Sequence, residues 1–198
     1  MQTFKKMNLP NKLTVLRILM VPIVVICYLC IPKDWCVLDA ASGLSGRNIV
    51  VFILFALASL TDLLDGKIAR SRNLITSFGK FLDPIADKML VNTILILMVS
   101  THEANVIAVL LMTARDLIVD GLRFAAASEG SVVSAGFFGK LKTVLQMIAI
   151  LMLLLNNWPF SYLHFPMADI MLWLATAASL YSGWIYFQKM KKYVLKSM

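Results

Sequence analysis

Four aspartates carry the chemistry this chain could do. Asp62, Asp65, Asp83 and Asp87 follow one another at spacings of 3, 18 and 4. Spacings of three and four are helical, so each pair shares one face of a helix. Four carboxylates brought together raise one another's pKa and cannot all stay ionised without a counter-charge. A divalent cation resolves that conflict. The donors are all oxygen, with no His or Cys at matching spacing, which favours Mg²⁺ or Mn²⁺ over Zn²⁺. Mg²⁺ is seldom caged by protein alone and usually bridges a few carboxylates to the phosphates of a substrate. The expected chemistry is transfer of a phosphate-bearing group. Four acids suffice for two ions, which would clamp the attacking and leaving oxygens.

The residues between the two pairs fit such a substrate. Gly66 and Ala69 leave a shallow helix face on which a flat group can approach the backbone, and Arg70 can pair with phosphate. Taken alone, Gly66 and Ala69 would read as close helix–helix packing, which is common in membranes. The bland alternative for the acids is a solvated helix end paired with Lys67, Arg70, Lys80 and Lys88. Acids near membrane depth are rare and mostly functional, which favours the metal reading.

The elements that must position these residues are membrane helices. Of 198 residues, 60% are hydrophobic and only 15% are charged, whereas soluble domains run at about 45–50% apolar and about 25% charged. The expected fold is all-α, one polytopic membrane domain over residues 1–198. A short interfacial segment occupies residues 1–12. Six transmembrane helices are expected near 13–31, 49–70, 83–100, 106–127, 139–155 and 167–186, with a basic tail over 187–198. Asp83-Pro84 reads as a helix start, since Asp caps well and Pro suits the first turn; an earlier start is the alternative. Residues 33–48 form the longest polar loop, and Trp158, Tyr162 and His164 mark an interfacial aromatic turn.

Charge sets the orientation. The formal net charge is +8, and all 19 Lys and Arg except Lys33 and Arg47 fall on one side of the six spans. The positive-inside rule places both termini and all four aspartates at the cytoplasmic face of the inner membrane. The basic residues are dispersed between apolar spans, so nucleic-acid binding is not expected. Cys27-x-x-Cys30 and Cys36 lack the companions of a zinc site and read as packing residues. His102 and His164 read as interfacial on the outer side. Asp169 complements the dipole of the last helix. The first apolar stretch is too long for a cleavable signal peptide.

The pattern D-x2-D-G-x2-A-R-x8-G-x3-D-x3-D is matched at Asp62, Asp65, Gly66, Ala69, Arg70, Gly79, Asp83 and Asp87. It resembles the signature of the CDP-alcohol phosphotransferases. The resemblance implies a six-span, metal-dependent, usually homodimeric membrane enzyme of phospholipid biosynthesis. It further implies that the four aspartates bind Mg²⁺ or Mn²⁺, that Asp87 is also the general base, and that Gly66, Ala69 and Arg70 contact the CDP moiety of CDP-diacylglycerol. The opening N-L-P-N-K-L-T-V-L-R, with Ala114–Arg123, Gly139–Gln146 and Ser182–Phe187, is similar to the bacterial phosphatidylglycerophosphate synthase branch. Arg115-Asp116 stands where that branch often has Arg-Glu, and the acid is retained. Asn11, Thr14 and Arg17, at the cytoplasmic start of the first span, are further candidates for the nucleotide and its phosphates.

The acceptor alcohol needs its own argument. Arg115, Arg123, Lys140 and Lys142 all map to the cytoplasmic ends of the fourth and fifth spans. Four cations there suit an acceptor bearing a phosphate of its own, and with the resemblance of the flanking segments they point to glycerol 3-phosphate. The bland alternative pairs Arg123 with Asp116 or Asp120 and lets Lys140 and Lys142 reach up to lipid headgroups. Inositol phosphate or phosphatidylglycerol is the competing acceptor. A divalent-cation channel or transporter is the competing class, and the clustering of the motif acids on one side of the membrane argues against it.

Overall fold

The computed structural model describes the backbone of residues 9–39, 42–71, 77–128 and 136–196, and their side chains except at 9–10, 62–71, 77–81, 83–84, 87, 125, 127–128 and 192–196. Among the described residues six long helices run in order: α1 (Leu9–Cys30), α2 (Gly46–Ser71), α3 (Ser77–Ser100), α4 (Val106–Ser128), α5 (Phe137–Leu154) and α6 (Met167–Lys196). Two short antiparallel strands, β1 (Val37–Asp39) and β2 (Leu44–Ser45), lie between α1 and α2. The expected all-α architecture holds, with this small hairpin inside what reads from sequence as a plain polar loop. Its strands are too short to leave any alternation in the sequence, and Gly43 supplies the positive φ at the turn.

Asn11–Cys30, Phe137–Leu154 and Met167–Lys191 are long and apolar enough to cross a membrane, and shorter apolar stretches, Gly46–Thr61 and Lys88–Ser100, lie in α2 and α3. The charges Arg115, Asp116, Asp120 and Arg123 interrupt the apolar run of α4. Large apolar side chains point outward all around the bundle, Leu29, Leu110 and Leu117 among them. In water such a surface would be an aggregation liability; in a bilayer it is the lipid contact.

Two helix boundaries differ from the sequence expectation. Helix α3 begins at Ser77, so Asp83-Pro84 lies inside it rather than at its start. Proline there removes the bond that its N–H would give to the carbonyl four residues back, a loss that helices of membrane proteins tolerate. Helix α6 runs on to Lys196 through the stretch read as a tail. The apolar pattern ends near Phe187, but Gln, Lys, Met and Leu are good helix formers and carry the backbone further.

Packing divides the helices into two groups. Helix α1 packs on both α2 and α3, and α6 packs on both α4 and α5. One core joins them, with Phe55, Ile94, Met98, Ile150, Leu154 and Leu172 fully enclosed. A smaller core of Val119, Ala126, Tyr186 and Met190 continues along α4 and α6 towards the end of the molecule that carries the four aspartates. Of the cysteines, Cys27 packs against the main core, while Cys30 and Cys36 are exposed, which corrects the packing role for those two.

The opposite end is closed by a polar knot. Glu103, in the turn between α3 and α4, accepts hydrogen bonds from Arg47 at 2.7 Å and from the Tyr28 hydroxyl at 2.9 Å, and pairs with Lys33 at 3.1 Å. The Arg47 guanidinium also lies 4.4 Å over the Tyr28 ring and donates to the side chain of its neighbour Asn48. This ties α1, α2 and the α3–α4 turn together on a side with no member of the aspartate motif.

Candidate active site

Helix α2 is unbroken through Ser71, so Asp62, Asp65, Gly66, Ala69 and Arg70 occupy its last turns, and Asp83 and Asp87 lie one turn apart near the start of α3. The backbone therefore holds each acid pair at the helical spacing that the sequence predicts. The side chains of these seven residues lie outside the described set, as do those of Gly79 and Lys80. Among the described residues no group of three or more His, Cys, Asp or Glu could hold a metal ion. The donor set to be weighed is thus the four motif carboxylates, all hard oxygen ligands on two helices. That chemistry fits Mg²⁺ or Mn²⁺.

Helix α1 packs on both motif-bearing helices. Asn11, Thr14 and Arg17 follow one another at three-residue intervals along it and are buried, Arg17 at 2% exposure. A buried arginine with two buried polar companions thus lies on the helix that packs against both helices of the motif.

The four expected acceptor cations take three different situations. Arg115 and Lys142 meet at one carboxylate: Asp116 accepts from an Arg115 terminal nitrogen at 2.8 Å and from Lys142 Nζ at 2.6 Å. Asp116 and Lys142 are both buried, so Lys142 does not reach up to headgroups. Arg123, two turns along α4 from Arg115, donates to the Tyr186 hydroxyl at 2.8 Å and lies 4.9 Å over that ring. It pairs with neither Asp116, which Arg115 and Lys142 occupy, nor Asp120, which pairs with Lys88. Lys140 is exposed and takes no part in these contacts.

The Lys88–Asp120 pair links the two halves of the site. Lys88 follows Asp87 on α3, and Asp120 lies on α4 between Asp116 and Arg123. The cation layer of α4 is therefore in contact with the helix that carries the second acid pair. A cavity of 200 Å³ opens beside this layer, with Ser182, Tyr186 and Lys189 of α6 in its wall.

Two contributors, Ser182 and Tyr186, are not found by reading charges, and a third, Asp116, takes another role than its charge suggests. Asp116 reads in the sequence as a partner for Arg123, but it is the hub of the layer. Ser182 accepts from the second Arg115 terminal nitrogen at 2.7 Å, and Tyr186 accepts from Arg123 and from the Gly136 backbone N–H at 3.1 Å. The usable clue is their spacing. Ser179, Ser182, Gly183 and Tyr186 fall at i, i+3, i+4 and i+7 on α6, one polar stripe on an otherwise greasy helix.

The helices that carry the acid motif, α2 and α3, thus share one helical bundle with a layer of cations on α4 and α5, of which Lys142 is buried and Lys140 exposed. Residues 7–181 match the family model for CDP-alcohol phosphatidyltransferase, and the chain belongs to that family. It is accordingly a transferase. The chain is 45% identical over 183 residues to the CDP-diacylglycerol--glycerol-3-phosphate 3-phosphatidyltransferase of Bacillus subtilis, covering 92% of this chain and 94% of that protein. It is 37% identical over 187 residues to the protein of the same name from Rickettsia bellii, covering 94% and 97%. The like-named protein of Pseudomonas fluorescens is 36% identical over 162 residues, covering 79% and 76%.

Proposed function

We propose that this enzyme transfers the phosphatidyl group of CDP-diacylglycerol to sn-glycerol 3-phosphate, giving phosphatidylglycerophosphate and CMP. The observation that carries this reading is the agreement between the relatives' shared name and the cation layer. Relatives that match nearly the whole chain are named for glycerol 3-phosphate as acceptor, and the layer next to the acid motif suits an acceptor with its own phosphate.

In this reading Asp62, Asp65, Asp83 and Asp87 hold one or two Mg²⁺ or Mn²⁺ ions. When bound, the metal supplies positive charge that stabilises the phosphate oxygens of the donor and of the departing CMP. Gly66 and Ala69 give the cytidine a bare helix face, and Arg70, Asn11, Thr14 and Arg17 hold the nucleotide and its phosphates. Arg115 and Lys142, with Arg123 and Lys140 beside them, orient the acceptor phosphate. Asp87 then takes the proton of the acceptor's primary hydroxyl. The freed oxygen attacks the β-phosphorus in line, and the bond from that phosphorus to the oxygen of CMP breaks.

The six helices would cross the inner membrane with both termini cytoplasmic, as the Lys and Arg distribution requires. A homodimer is expected from the family. Purified protein in lipid with Mn²⁺ or Mg²⁺ tests the activity. CMP should appear from CDP-diacylglycerol only when glycerol 3-phosphate is added. CMP release with inositol phosphate or phosphatidylglycerol instead would reassign the acceptor, and cation flux without nucleotide would reassign the class.

A further inference from the structure

Arg115 is held from one side by α6 in a way that its own helix does not explain. Its Nε donates to the Ser179 carbonyl at 2.9 Å, and one terminal nitrogen donates to Ser182 Oγ at 2.7 Å. The other terminal nitrogen donates to Asp116. Guanidinium has five N–H groups in a rigid fork. Those three bonds leave one N–H on each terminal nitrogen, donors enough for a two-point contact with a phosphate. The stem is shaped as well. A Cβ at Gly183 would lie 2.8 Å from Arg115 Cγ and 3.3 Å from Nε, so only the bare backbone of glycine lets the side chain pass.

We infer that α6 is the positioning element of the acceptor site. The Ser179 carbonyl, the Ser182 hydroxyl and the missing side chain of Gly183 fix the rotation of the Arg115 guanidinium, so that its remaining N–H pair faces the acceptor phosphate. Ser182 and Gly183 are positioning residues that act through Arg115 and touch no substrate. The inference rests on the proposed role of Arg115 as a ligand of that phosphate. It explains why a serine and a glycine sit side by side on α6, one turn on from the buried Ser179.

Steady-state kinetics on the full-length enzyme in lipid, with both substrates varied, tests it through four variants. Ser182→Ala should raise KM for glycerol 3-phosphate by about five- to tenfold, the loss of one charge-assisted hydrogen bond. Its kcat and its KM for CDP-diacylglycerol should stay within about twofold. Gly183→Ala should raise the same KM at least as much, because it displaces the whole side chain. Arg115→Met should raise it most, and Ser182→Ala added to Arg115→Met should change nothing further.

If Arg115→Met leaves the acceptor KM unchanged, the acceptor-site reading itself falls. If Arg115→Met raises it but Ser182→Ala and Gly183→Ala do not, the positioning role alone is overturned. It is also overturned if Ser182→Ala acts equally in the presence and absence of Arg115. A parallel loss of kcat, both affinities and thermal stability would show that the stripe only holds the bundle together.

Discussion

Among the described residues, two carboxylates with largely buried side chains, at opposite ends of the bundle, each hold two cations. Glu103 gathers Arg47 and Lys33 with the Tyr28 hydroxyl. Asp116 gathers Arg115 and Lys142. The charge arithmetic is the same, and the surroundings differ. At the Glu103 end, Arg47 gives three N–H bonds to Glu103 and Asn48 from Nε and one terminal nitrogen and lies over the Tyr28 ring, so that its two remaining N–H groups sit on a single nitrogen, and the knot joins α1, α2 and a turn. At the Asp116 end, the two remaining N–H groups of Arg115 are one on each terminal nitrogen, Arg123 and Lys140 lie nearby, and α3 with its half of the aspartate motif is in contact through Lys88. An arginine that keeps one N–H on each terminal nitrogen, beside an acid motif, is arranged to take a ligand, whereas one stacked on a ring at the other end, with its leftover N–H groups on one nitrogen, holds the fold. Burial, pairing and the number of leftover N–H groups do not separate the two cases; the arrangement of those groups and the neighbouring acid motif do.

This contrast can be broken at either end. The largest effect is expected at Asp116. Asp116→Asn keeps the shape but removes the charge that fixes Arg115 and Lys142, and kcat/KM for the acceptor should fall by about 100-fold, the scale of a small misplacement of a binding group. CMP release at subsaturating glycerol 3-phosphate measures it. Glu103→Gln comes next and should act on another quantity. It leaves the buried Arg47 opposite a neutral amide, which costs about 3–5 kcal/mol when a buried pair loses one partner. Thermal unfolding in lipid should show that loss, with both KM values unchanged in protein that remains folded.

Smaller effects sharpen the comparison. Lys88 and Asp120 are 35% and 42% exposed, so solvent screens their attraction. A double-mutant cycle with Lys88→Met and Asp120→Asn should give a stability coupling below about 1 kcal/mol. The smallest effect lies at the Glu103 end. The exposed Tyr162 hydroxyl donates to Asp39 at 2.8 Å, and this hydrogen bond pushes its phenol above the usual range. A raised folded pKa contributes stability that is present below the unfolded value of about 10 and is lost as pH rises through the folded one. Tyr162→Phe should therefore flatten a slight fall in stability at strongly alkaline pH and change nothing at neutral pH.

Much of this is legible in the sequence, and the reasons for the misses are physical. Spacing alone places Asp62 with Asp65, and Asp83 with Asp87, on shared helix turns, because α2 and α3 are long apolar helices whose period nothing interrupts. Pro84 misleads as to where α3 starts. Local capping chemistry favours Asp83-Pro84 as a terminus, and the surrounding helix outweighs it. Arg115 and Lys142 are legible as cations at the right end of the bundle, but not their meeting at Asp116, which depends on how α4 and α5 pack. The role of α6 is the least visible part. Ser179, Ser182 and Gly183 have no charge to draw attention, and their meaning arises only when the Arg115 side chain crosses them.

The most direct test compares the two arginines. Arg115→Met and Arg47→Met each remove one guanidinium from a carboxylate that keeps its second cation. KM for glycerol 3-phosphate and for CDP-diacylglycerol should be measured for both variants in lipid. The account predicts a rise of more than about tenfold in the acceptor KM for Arg115→Met, with the donor KM unchanged, and no change in either for Arg47→Met. Equal KM values in Arg115→Met and the parent enzyme, or a raised acceptor KM in Arg47→Met, would contradict it.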